Sequence, residues 1–232
     1  MSTVLVIGAS RGIGLELVRQ YAEAGDRVLA TARDDAGLQR IRQLGAQALM
    51  VDVANPASVS GLAWQLDGEK IDIALYVAGV TSRADATSPP TQPEFDRVMH
   101  TNVLGAMQAI PQVAPLVEAA GSGAVAGQGG LGRFAFISSV MGQTSTVPDS
   151  QAWLYRVSKA ALNMAVASAQ HSYPGAILVA MHPGWVQTDM GGARAPLTAQ
   201  DSVRGLRATL AGLTPADSGH FLRYDGHRYE AW

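Results

Sequence analysis

Tyr155 and Lys159, in the stretch "YRVSK", are the first residues whose types and spacing point to chemistry. The chain has 17 Lys plus Arg, yet lysine occupies only positions 70 and 159; every other basic residue is arginine. Four positions apart on a helix, Tyr155 and Lys159 share one face, and Arg156 points elsewhere. A phenol with a reference pKa near ~10 is a poor acid–base group at neutral pH, and a fixed cation beside it stabilises the phenolate. Lysine's compact, three-donor ammonium also suits sugar hydroxyls better than a flat guanidinium fork. The pair reads as a general acid–base couple next to a ribose.

A second cluster lies near the N-terminus. "GASRGIG" follows a short apolar run, with glycines at Gly8, Gly12 and Gly14. Gly8 permits a tight turn, Gly12 a close approach of pyrophosphate to a helix N-terminus, and Gly14 close packing of helix on strand. The spacing, G-x-x-x-G-x-G, differs from the G-x-G-x-x-G fingerprint, and its place between a first strand and a first helix carries the reading. After the second strand an NAD site offers a carboxylate to the ribose 2′-hydroxyl. Here "LATAR" has Thr31 at the expected position and Arg33 just after, while Arg11 sits inside the glycine turn. Two guanidiniums suit a 2′-phosphate, so NADP(H) is expected over NAD(H).

These residues need a frame. Short, nearly continuous apolar runs at 3–9, 27–32, 47–53, 72–78, 133–139 and 176–182 fit parallel strands covered on both faces. Helical patterns fall near 12–24, 35–44, 56–66, 94–119 and 151–171, the third opened by Asn55–Pro56. A helix near 199–212 and a strand at 219–226 close the chain. Repeated β-α-β without a composition break predicts one α/β domain over 1–232, a doubly wound Rossmann fold with a mainly parallel seven-stranded sheet and helices on both faces. The glycine-rich stretch 121–132 is expected as an internal surface loop.

Composition narrows the function classes. The 232 residues are 47% hydrophobic and 16% charged, enough to bury on the order of 70% of the unfolded surface. A net charge of −2 gives no footprint for nucleic acid or an anionic membrane. With no cysteine, and with His100, His171, His182, His220 and His227 at no ligand spacing, no metal site is expected. No signal peptide or membrane span is legible, so the expected setting is cytoplasmic.

Taken in order, "GASRGIG", Asp52–Val53, Ala78–Gly79, Asn102 in "TNVLG", "ISSVMG" at 137–142, "YRVSK" and "HPGWVQTDM" at 182–190 resemble the short-chain dehydrogenase/reductase family. The resemblance spans essentially the whole chain, and the tail "SGHFLRYDGHRYEAW" is similar to the branch of C-factor and Sniffer-type carbonyl reductases. It implies that Tyr155 protonates a carbonyl oxygen as hydride arrives from a nicotinamide. Lys159 would lower the phenol pKa and bind the nicotinamide ribose, and Ser139 would polarise the carbonyl. Asn102 would hold a water relaying protons to Lys159. Ser138 is the rival serine, but strand alternation turns it to the opposite face. The cofactor would lie against Gly8, Ser10, Arg11, Gly12, Ile13 and Gly14, with Asp52 and Val53 at the adenine. Ala78, Gly79, Pro183 and Gly184 line its path, and Val186 and Thr188 meet the carboxamide. His182 reads as structural.

The chain departs from the family at Tyr76–Val77, where asparagines usually precede "AG"; valine cannot supply their side-chain hydrogen bonds. The long interval from Ser139 to Tyr155 places "GQTSTVPDSQAW" at a substrate pocket. Two function classes stay open: an NADPH-dependent reductase of aldehydes or ketones, reversible with the alcohol, and a nucleotide-binding signalling or regulatory protein of the same fold. The intact Asn102, Ser139, Tyr155 and Lys159 set favours the enzyme. The helix "SKAALNMAVASA" is apolar around much of its circumference, which predicts a homodimer packed through it.

Overall fold

Parallel strands buried on both faces need helices on both sides, and the computed structural model, which describes residues 1–121 and 130–232, has that arrangement. The strands are β1 (Thr3–Ile7), β2 (Arg27–Ala32), β3 (Gln47–Met50), β4 (Ile73–Tyr76), β5 (Gly132–Ile137), β6 (Ala176–His182) and β7 (Phe221–Arg223). They form one sheet in the order β3-β2-β1-β4-β5-β6-β7, and every strand pairing is parallel. The expected strands are all present and mostly shorter, because residues such as Gly8, Val53 and Ala78 have already turned out of the ladder towards the site.

Alternation along each strand splits the core in two. Val4 and Val6 of β1 pack with Leu17, Leu38 and Leu206 on one face, and Leu5 and Ile7 pack with Leu62, Val113 and Leu162 on the other. The first face is covered by α1 (Gly12–Glu23), α2 (Asp35–Gln43) and α8 (Ala199–Gly212). The second carries α3 (Pro56–Ser60), α4 (Leu62–Gln65), α6 (Gly105–Gly121) and α7 (Trp153–Ala169), while α5 (Gln92–Met99) leads into α6. Side-chain caps start these helices: Asn55 accepts from Ala57 N at 3.0 Å, Asp34 from Gly37 N at 2.7 Å and Thr198 from Asp201 N at 3.0 Å.

Two expected helices are broken. The one near 56–66 stops at Gly61 and restarts as α4. The one near 94–119 begins at Gln92 and is interrupted by a π-turn, His100–Leu104, which contains Asn102. The stretch 121–132 lies outside the described residues except at its ends, where Gly121 closes α6 and Gly132 opens β5. Among the described residues no helix is long and apolar enough to cross a membrane. The C-terminal tail folds back on the sheet edge: Tyr229 stacks on Phe221 with ring centroids 4.7 Å apart, and the Ala231 carbonyl accepts from Gln143 Nε2 and Ser145 Oγ at 3.0 Å.

Candidate active site

The strand order reverses between β1 and β4, and the crevice at their carboxyl ends is where such sheets place ligands. The glycine turn fills one side of it. Gly8 has φ +91, and a Cβ there would lie 2.6 Å from the Ala78 backbone; a Cβ on Gly14 would lie 2.2 Å from the Gly8 carbonyl oxygen. Only glycine lets β1, β4 and α1 approach so closely, and the amides of Ser10 through Ile13 stay at the start of α1. Gly12 faces the segment after β6, with a Cβ there 3.4 Å from Thr188 Cγ2. That segment is built on Pro183, whose carbonyl accepts from buried Ser202 at 2.6 Å. Gly184 has φ +86, and Val186 is buried and bridged to Leu197. Thr188 Oγ1 accepts from Gly191 N at 3.1 Å.

Three arginines lie in or just before α1 and α2. Arg11 flanks α1 and pairs with Asp189 at 2.9 Å in solvent, a contact worth little by itself. Arg33 is exposed, with no ion-pair partner among the described residues. Arg40 of α2, which sequence reasoning passed over, donates to the Ser10 carbonyl at 2.8 Å. Thr31 ties β2 to the glycine turn. Its hydroxyl is fully buried and accepts from Gly8 N at 3.0 Å. Ala32 beside it is buried against α2: a Cβ on Gly37 would fall 2.7 Å from Ala32 Cβ and 2.9 Å from Ser10 Cβ. Neither residue is acidic, and the nearby Asp34 carboxylate is spent on capping α2. Asp52 binds its own turn, its carboxylate accepting from Ala54 N, and Val53 beside it is buried.

The candidate catalytic groups converge near the end of β4. A Cβ on Gly79 would sit 3.4 Å from Asn102 Oδ1 and 3.5 Å from Lys159 Nζ. Asn102 is fully buried. Its Oδ1 accepts from Val80 N at 2.8 Å, and its two amide hydrogens go to the Val80 carbonyl at 2.8 Å and Ser158 Oγ at 2.9 Å. Lys159, also buried, donates to the Ile137 carbonyl at 2.8 Å and lies 5.6 Å from the Tyr155 ring centroid. Ser139 is turned towards Tyr155, and its Oγ accepts from Met141 N at 3.1 Å. Ser138 points away, donating to Asn163 Oδ1 at 2.5 Å, as alternation predicts.

Burial shapes the electrostatics of the pair. Burial pushes the Tyr155 phenol up to about 12, with the Ser139 hydrogen bond pulling the other way, and burial brings the Lys159 ammonium down to about 8. Exclusion of water, which penalises both charged forms, is the leading cause of both shifts. His182 is lowered to about 4, first by burial and then by the Arg223 charge, and so is neutral at physiological pH.

Residues 2–197 match the family model described as short chain dehydrogenase. The chain is 39% identical over 158 residues to the C-signal protein of Myxococcus xanthus, covering 67% of this chain and 90% of that one. It is 32% identical over 241 residues to a 1-hydroxy-2-glutathionyl-2-methyl-3-butene dehydrogenase of a Rhodococcus species, covering 97% and 98%. Among solved structures, the carbonyl reductase Sniffer of D. melanogaster superposes with a TM-score of 0.88 at 29% identity, covering all of both chains. A short-chain dehydrogenase/reductase from Burkholderia multivorans with bound NADP gives 0.83 at 29% identity, covering 100% of this chain and 99% of the other.

Proposed function

This chain belongs to the short-chain dehydrogenase/reductase family, an NAD(P)-dependent oxidoreductase of that family, and we propose that it reduces an aldehyde or ketone to the alcohol with NADPH, Tyr155 being the general acid. The observation that carries the reading is the convergence of Asn102 and Lys159 on Gly79, beside Tyr155 and Ser139, at the reversal of strand order.

The cradle fits a dinucleotide: glycine alone is tolerated at Gly8 and Gly14, α1 begins there, and no carboxylate occupies Thr31 or Ala32. Gly8, Ser10, Arg11, Gly12, Ile13 and Gly14 would hold the pyrophosphate, and Arg11 and Arg33 the 2′-phosphate. Asp52 and Val53 would meet the adenine. Ala78, Gly79, Pro183, Gly184, Val186 and Thr188 would hold the nicotinamide half. Held there, a reduced nicotinamide supplies the hydride.

The chain's own groups manage the proton. A phenol near 12 is fully protonated at neutral pH and can donate to the carbonyl oxygen as it gains electron density. Ser139 accepts from the Met141 amide, which leaves its hydrogen to polarise the same oxygen. Lys159 spends one donor on Ile137 O and keeps two for ribose hydroxyls, and its charge stabilises the phenolate left behind. The apolar character of Met141 and Trp153 beside "GQTSTVPDSQAW" suits a hydrophobic small-molecule substrate in a cytoplasmic enzyme.

A panel of aldehydes and ketones offered with NADPH and with NADH tests this reading. Turnover with NADPH is expected. Tight nucleotide binding without turnover of any member would favour the second reading, a nucleotide-binding signalling protein, for which the C-signal relative is the specific support.

A further inference from the structure

Tyr76 ends β4 fully buried, stacked on Phe136 with ring centroids 6.1 Å apart. An unpaired phenol there would be costly, and its hydroxyl donates to the main-chain carbonyl of Thr101 at 2.7 Å. Burial, aided by the Asp52 charge, holds the phenol far above the ordinary tyrosine range, so it is a permanent donor. Thr101 belongs to the π-turn His100–Leu104. In a regular α-helix its carbonyl would be engaged by the amide four residues on, at Gly105. A donor arriving from β4 favours the wider winding instead, the kind of insertion found in helices at functional sites. Gly105 makes room for it, since a Cβ there would lie 2.6 Å from the Tyr76 hydroxyl and 2.5 Å from the Val53 carbonyl oxygen.

The residue after Thr101 is Asn102, and the chain of contacts continues. Asn102 Nδ2 donates to Ser158 Oγ at 2.9 Å, and the Ser158 hydroxyl donates to the Tyr155 carbonyl at 2.7 Å. We infer that Tyr76 is a positioning residue for carbonyl reduction: its hydroxyl sets the π-turn that presents Asn102 to Ser158, Tyr155 and Lys159. The inference rests on the reading of Tyr155 and Asn102 proposed above. It also assigns a role to the residue that most clearly departs from the family pattern.

The test is Tyr76→Phe, which keeps the ring and removes one hydrogen bond, assayed with NADPH and the best carbonyl of the panel. kcat is expected to fall by about tenfold to a hundredfold, the effect of a small misplacement in a catalytic array. KM for the carbonyl and the Kd for NADPH stay close to the parent values. The solvent deuterium isotope effect on kcat rises, because proton delivery has become the slower step. In an Asn102→Ala background, Tyr76→Phe costs nothing further. Parent kcat with an unchanged isotope effect overturns the inference. So do losses that multiply in the double variant, or a chain that no longer melts cooperatively with NADPH bound. Tyr155→Phe is run beside it: parent-like reduction by that variant sinks the functional reading itself, whereas its inactivity alongside an unaffected Tyr76→Phe sinks only the inference.

Discussion

Tyr155 holds its proton tightly, and the predictions at residue scale follow from that. Tyr155→Phe keeps the ring and the helix but removes the donated proton, so reduction is expected to fall by about 10²–10⁴-fold, with NADPH binding retained in fluorescence titration. Lys159→Arg should also fail despite its charge, because the larger fork displaces the ribose; reduction at the parent rate would refute the role of the scarce lysine. Lys159 has a second signature. Its pKa lies near 8 in the folded protein against an ordinary value of 10.5, so the free enzyme loses this charge as pH rises through about 8. Because kcat/KM for NADPH reports the free enzyme, it should decline above that pH, while Tyr155, near 12, stays protonated. Stability moves the opposite way. Between about 8 and 10 the unfolded chain keeps a proton that the native lysine has released, so this residue makes the fold more stable as pH rises. Thermal melts across that window should show the rise in the parent and its loss in Lys159→Met.

At the scale of elements, the proposed preference for NADPH rests on the residues where α1 and α2 begin. Arg33→Asp places a carboxylate between β2 and α2, where a 2′-phosphate would be repelled and a 2′-hydroxyl could donate. Losing a charge-assisted contact costs roughly 1.5–3 kcal/mol, so the variant should bind NADPH weakly and shift its ratio of affinities towards NADH. Calorimetric titration with both nucleotides decides it, and an unchanged ratio would count against the arginines. Arg40 enters here too. It lies seven residues beyond Arg33, and its contact with Ser10 depends on the angle at which α2 crosses the turn.

For the whole molecule, the open question is what covers the outer face of α7. Leu162 and Val166 meet the sheet, while Val157 is 50% and Met164 64% exposed, and Met107 on α6 is 53% exposed. Apolar side chains on neighbouring helices support the homodimer expected from "SKAALNMAVASA". Light scattering at micromolar concentration should report a dimer, and Met164→Glu should convert it to monomer. A monomeric parent would refute the interface.

Much of this was legible in the sequence because its signals are local. Apolar runs bounded by glycine and proline announce buried parallel strands, and their alternation with helices leaves a single topology class. Tyr155 and Lys159 are tied by helical spacing, and Ser138 is separated from Ser139 by strand alternation, so neither relation needed coordinates. Where long-range packing decides, sequence reasoning ran out. The π-turn at Asn102 depends on a phenol 25 residues earlier reaching Thr101, and a helical period cannot show a partner from another strand. The bond from Gly8 N to the buried Thr31 hydroxyl likewise joins two strands, and the sequence of β2 alone does not show it. The raised phenol and lowered ammonium have the same origin: spacing put a cation beside Tyr155, but tertiary burial set how much water remains to solvate either charge.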